Sequence, residues 1–179
     1  MRANTNFLHK IAEYYQLKGN IPTSYKIARN QAFLETSNLS SAFQRMAQEP
    51  KSKQRETDKI YELVVLNHTF LVSLASLSTY VQNYKTSEAS ERFKMVIEKI
   101  EANLEKVLEC LRDKDCYLEK NSSKIDLLDE DEFPAFDASE IKKLASDENE
   151  SVRYLQEAHL VWEQLKWLLS MSRKMLKLV

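Results

Sequence analysis

Residues 63–84 read LVVLNHTFLVSLASLSTYVQNY, 22 positions without Asp, Glu, Lys or Arg. A helix of that length rises about 33 Å, enough to cross the hydrocarbon of a bilayer. Its polar load argues against lipid: Asn67, His68, Thr69, Ser73, Ser76, Ser78, Thr79, Gln82 and Asn83 all lie inside it. The apolar residues also keep register. Ile60, Leu63, Phe70, Leu74, Leu77, Val81 and Tyr84 alternate at three and four residues, and Asn67 fills the one gap. That is the seam of a helix packed against other helices. The stretch is therefore expected to be the central helix of a soluble all-α protein, spanning about residues 54–85. Its small residues Ser73, Ser76 and Ser78 would let neighbouring helices approach closely.

The rest of the 179-residue chain agrees. It holds one glycine, Gly19, and three prolines, Pro22, Pro50 and Pro134. Sheets need many turns, and turns need Gly, Pro or Asn-Gly pairs. Hydrophobic residues at 43% and charged residues at 30% leave enough apolar surface for a core and exclude a disordered chain. The expected fold is an antiparallel bundle of about five long helices forming one domain over 1–179. Four helices occupy 1–119, an acidic loop 120–137, and a short helix plus the last long helix 138–179.

Helix one is expected at 5–17, with Phe7, Leu8, Ile11, Tyr14 and Tyr15 inward. Gly19 suits a left-handed cap, and Pro22 prevents continuation. Helix two, 23–48, would bury Tyr25, Ala28, Ala32, Leu39, Ala42, Phe43 and Met46 before Pro50 stops it. Helix four follows Ser87, with Glu88 and Glu91 favourable to its dipole. It would bury Phe93, Val96, Ile97, Ile100, Leu104, Val107, Leu108 and Leu111. Around Pro134 the chain is acidic, and the capping-box-like spacing of Asp137 with Glu140 predicts a short helix at 139–145. The last helix, 148–176, would turn Val152, Leu155, His159, Trp162, Leu165, Leu169 and Leu176 inward. Cys110 and Cys116 would face about 120° apart on one continuous helix, so free thiols are expected.

Chemistry is sparse. One glycine rules out the usual glycine-dependent phosphate loops and nucleophile elbows. No His-Glu-x-x-His occurs. The Glu-x-x-His pairs of di-iron bundles are absent too, because Asn6, Val65 and Gln156 stand three residues before His9, His68 and His159. His9 with Glu13, and His159 with Glu163, have helical i,i+4 spacing and read as surface hydrogen bonds. The acidic loop lacks the glycine and alternation of a calcium loop. No catalytic, cofactor or metal residue is expected. The net charge of −1 gives no field favouring nucleic acid.

The most distinctive segment is 29–55, RNQAFLETSNLSSAFQRMAQEPKSKQR. An amphipathic helix is cut by Glu49-Pro50 and followed by Lys51, Lys53 and Arg55. Such a turn could dock an acidic partner or lipid head groups, where each cation contributes about 1 kcal/mol. Ala28-Arg29, Ala32, Asn38-Leu39-Ser40, Ala42 through Met46 and Glu49 through Gln54 together resemble a cytoplasmic helical region of the fusaric-acid-resistance-like (FUSC) family. These are bacterial inner-membrane proteins related to aromatic-acid efflux pumps. The resemblance covers about residues 25–55.

It implies that this chain is the C-terminal cytoplasmic portion of a longer protein. The chain would lie at the cytoplasmic face of the inner membrane. Its expected partners are the transmembrane portion of the same protein, further copies of itself, and the membrane surface through Lys51, Lys53 and Arg55. The motif positions singled out for docking are Arg29, Asn38, Gln44, Arg45, Glu49, Pro50, Lys51 and Lys53. Two other readings stand beside it: a free-standing adaptor that binds partner helices, and a ligand-binding bundle with a pocket near Asn67, His68 and the tyrosines.

Overall fold

A computed structural model describes residues 1–17, 20–50, 52, 54, 56–83, 91–112 and 148–179. Five helices span α1 Arg2–Leu17, α2 Thr23–Ala47, α3 Thr57–Asn83, α4 Glu91–Arg112 and α5 Glu148–Leu178. No strand occurs among the described residues. The expected caps near Gly19, the acidic loop and the short helix at 139–145 lie outside the described residues.

The helix ends follow local chemistry. Pro22 sits at the N-cap of α2 with φ −64°. Its fixed φ costs nothing there, and its carbonyl accepts from the Tyr25 and Lys26 amides at 3.2 and 3.4 Å. The far end of α2 is held by Gln54, whose Nε2 donates to the Ala47 carbonyl at 3.1 Å and to the Glu49 carbonyl at 2.7 Å. That side chain satisfies a carbonyl the helix end leaves open. Glu56 takes a left-handed φ of 49° before α3, and its carbonyl accepts the Ile60 amide at 3.0 Å.

Packing pairs define a four-cornered ring. α1 packs on α3, α3 on α5, α5 on α4, and α4 on α1. α2 packs on α1 and α3. Contacts along the helices give their directions. Thr36 and Asn67 meet level with Asn4, whereas Tyr25 and Ser78 meet level with Phe7 and Tyr14. So α2 runs against α1, and α3 runs with it. His9 touches Glu101 and Tyr15 packs on Phe93, so α4 runs against α1.

The ring encloses one core that includes Phe7, Leu8, Ile11, Phe70, Leu74, Leu77, Ile100, Leu104, Leu165 and Leu169. Burying a side chain of this size contributes about 1.5–3 kcal/mol. Two polar bridges cross it. Asn67 accepts from the Asn4 amide at 3.1 Å and donates to Thr36 Oγ1 at 3.4 Å. Asn103 donates to Ser172 Oγ at 3.0 Å between α4 and α5. A third cluster joins Tyr25 hydroxyl, Ser78 and Gln82.

Several expectations need correction. Only Tyr25, Ala28, Ala32 and Thr36 of α2 are buried; Leu39, Phe43 and Met46 are half-buried and Ala42 is exposed. α1 begins level with Thr36, so the second half of α2 runs past its end and, among the described helices, meets α3, where Phe43 lies on Tyr61. In α4, Leu108 is half-buried and Leu111 is exposed, while Asn103 is buried. In α5, Val152 and His159 are exposed, and Leu155 and Trp162 only half-buried. Leu165, Leu169 and Leu176 are buried as expected, and Glu157, Val161, Leu168, Met171, Ser172 and Met175 complete the inward face. Cys110 is disulfide-bonded, and the sequence holds one other cysteine, Cys116, outside the described residues. The expectation of free thiols assumed one helix through both, and α4 is described only as far as Arg112.

Candidate docking surface

The family-like segment forms the outer side of α2. Arg29, Asn38, Gln44, Arg45, Glu49 and Pro50 are all exposed. Arg29 lies over the Phe33 ring at 5.6 Å, a surface cation–π contact. Lys51, Lys53 and Arg55, the basic turn expected to meet lipid or protein, lie outside the described residues. Ile27 and Leu34, one heptad apart, add exposed apolar bulk to the same helix.

A second exposed surface was not anticipated. α3 is not enclosed by its neighbours. Asn67, Phe70, Leu71, Leu74, Leu77, Ser78 and Val81 face inward as the seam required. On the opposite side Tyr61 is 56% exposed, Val65 42% and Val72 51%. His68 and Thr79 are exposed on the same side. By length and composition Thr57–Gln82 could cross a membrane, yet only 33% of its most apolar window is buried. α3 thus carries two seams. One meets α1, α2 and α5; among the described residues the other stays largely exposed, with Tyr61 at its end resting on Phe43 of α2. The signal was in the sequence: a helix packed on one side needs one apolar face, whereas residues 63–84 lack charge on every face.

Among the described residues Asn67 and His68 do not share a pocket, because they point about 100° apart around α3, one toward the core and one toward solvent. Asn67 is buried and bonded through both its oxygen and its nitrogen. His68 is exposed.

A polar groove of about 710 Å³ lies instead between α1 and α4, lined by Arg2, His9, Glu101, Glu105, Glu109 and Arg112, among others. His9 touches Glu101 through Nδ1 at 3.3 Å and Glu13 through Nε2 at 3.2 Å. The i,i+4 contact of His9 with Glu13 is therefore present. Burial pushes the Glu101 carboxyl above its ordinary value, partly offset by His9. Glu13 is held below the ordinary value, chiefly by a 2.6 Å hydrogen bond from Lys10. Glutamates at 101, 105 and 109 repeat along one ridge, with an arginine from each helix beside them. Among the described residues, no group of three or more His, Cys, Asp or Glu is placed to hold a metal ion.

Comparison with protein-family models, with curated proteins and with solved structures finds no match for this chain.

Proposed function

We propose that this chain is a helical docking module that works by assembly rather than catalysis, with the outer face of α3 as its working surface. One observation carries the reading. A 27-residue helix spends its inner seam on the core and keeps an uncharged outer seam of Tyr61, Val65 and Val72 in solvent. Soluble surfaces mix charge into exposed helices, and a charge-free exposed stripe marks a contact site. The resemblance of residues 25–55 to the FUSC family supports the setting: the cytoplasmic side of an exporter-like membrane protein in a bacterial inner membrane. That setting rests on the sequence segment alone.

The test is photo-crosslinking in cells. A photoreactive residue at Val65 or Val72 should give discrete crosslinked products, and one at exposed Glu98 on α4 should not. Equal crosslinking at all three positions, or none at any, would refute the reading. Mass spectrometry of the products then bears on the setting. A membrane-embedded partner supports the exporter context, and a soluble partner helix supports the free-standing adaptor.

A further inference from the structure

We infer that Cys110 and Cys116 form a redox switch that decides whether α4 can continue as helix past Arg112. Cys110 is half-buried against the core and disulfide-bonded. Cys116 is the one other cysteine in the sequence, so the bond joins these two. Cys116 lies outside the described residues, and the constraint on it comes from its position six residues after Cys110. On an unbroken α-helix, Cα atoms six residues apart are separated by about 10 Å, from the rise and radius of the helix. A disulfide holds its two Cα atoms within about 7 Å. The bond and a continuous helix through Cys116 therefore exclude each other. Reduction lifts that exclusion. Residues 113–119, DKDCYLE, contain no glycine or proline. α4 offers them a helix already formed, so extension needs only propagation and not the costly nucleus.

The bond is not placed to staple the bundle. It spans six residues of sequence and ties α4 to no other described helix. α4 is already held by its buried side chains, Ile100, Leu104 and Val107 among them. A loop this short also constrains the unfolded chain less than a long one does. The effect of the bond is thus local, on the path the chain takes as it leaves α4. That path starts beside the groove between α1 and α4, because Glu109 and Arg112, which flank Cys110 in sequence, both line it.

The exchange partner is a small disulfide of the glutathione class. One protein thiolate attacks its sulfur and releases one small thiol, and the second protein thiolate then breaks the mixed disulfide and releases the other. The two cysteines lose two electrons and two protons in all, and the small disulfide leaves as two thiols. Excess small thiol runs the same steps in reverse.

The test is hydrogen exchange of the purified chain in glutathione buffers, read by mass spectrometry on peptides covering 108–120, with maleimide labelling to score both thiols. Labelling should rise as reduced glutathione replaces oxidised, and should be complete at about a hundredfold excess of the reduced form. Amides after Arg112 should then exchange slower by roughly fivefold or more, because helix protects them. Cys116→Ser should show the slow exchange without any reductant and no further change with glutathione, while peptides covering 96–107 exchange alike in every sample. A bond that survives the hundredfold excess is a permanent staple, and the switch is refuted. Exchange after Arg112 that is equal or faster in the reduced chain refutes the helix extension. Full labelling in oxidised glutathione shows that the bond does not form, and the inference falls with it.

Discussion

Replacing Asn67 with alanine should cost about 2–3 kcal/mol, and the structure says where that figure comes from. Asn67 is 1% exposed and sits in the inner seam of α3. Its Oδ1 accepts from Asn4 Nδ2 at 3.1 Å, and its Nδ2 reaches Thr36 Oγ1 at 3.4 Å. Each lost bond is worth about 1 kcal/mol, the longer one less. The Asn4 amide keeps a 3.3 Å bond to the backbone carbonyl of Asn67, so it is not wholly orphaned. Truncation to alanine adds a packing loss of about 1 kcal/mol. Urea unfolding followed by circular dichroism should show the midpoint fall, with a thermal shift of about 2–4 °C for each kcal/mol in a chain of this size. The sharper test is a double-mutant cycle of Asn4→Ala with Asn67→Ala, which isolates the pair itself. Coupling of about 1 kcal/mol is expected, and a value below about 0.3 kcal/mol would refute the argument that this bridge joins α1 to α3.

Other outcomes follow from the same geometry. Val65→Glu and Val72→Glu lie on an exposed face and should each change stability by less than about 0.5 kcal/mol; a larger loss by urea unfolding would mean that this face is packed. Leu74→Ala, at a fully buried position, should cost about 2–5 kcal/mol by the same measurement. Glu56→Gly should stabilise by up to about 1 kcal/mol, since a left-handed φ of 49° suits glycine better than glutamate. Glu101→Gln should gain stability relative to the parent as pH rises. The buried carboxyl binds its proton more tightly when folded, so the parent is favoured below about pH 4.5 and loses ground as pH climbs through the raised value. Loss of the His9 contact offsets this by less than about 1 kcal/mol. Unfolding midpoints measured on both sides of that range should show the difference growing with pH, and a difference that shrinks would contradict the burial argument.

Helix type and rough extent were legible because they depend on local signals. The seam residues Phe70, Leu74, Leu77 and Val81 are buried where the three-four spacing put them, and Phe7, Leu8, Ile11 and Tyr15 form the inner face of α1. Asn67 stood out as the single polar break in that seam. What the sequence did not disclose was which groups would meet it, because Asn4 and Thr36 come from two other helices whose order in space no local pattern sets. The same limit explains α2 and α5. Leu39, Phe43 and Met46 carry the right spacing for a buried face, but burial there depends on how far α1 reaches. Val152 and His159 fit a helical stripe as well as Glu157 and Val161 do, and only the positions of α3 and α4 decide between them.

The charge-free run from Leu63 to Tyr84 has two separate causes, and they are open to separate tests. Its inner residues are explained by stability, since they form the wall of the core against α1, α2 and α5. Its outer residues are not, because a charge at Val65 or Val72 would leave the fold nearly unchanged. Nor is the outer face needed to keep the helix itself intact. Glutamate and lysine are better helix formers than valine or threonine, so a charged outer face would make α3 more stable, not less. An uncharged outer face is therefore a feature the fold tolerates but does not require. Its physical advantage appears only when a second surface covers it, because then charge would have to be desolvated and valine would not. Val72→Glu and Val72→Leu should therefore have similar unfolding free energies in dilute solution but different effects on crosslinking from a photoreactive residue at Val65. The leucine variant should give at least as much product as the parent and the glutamate variant less. If both variants crosslink as the parent does, the outer seam is not a contact.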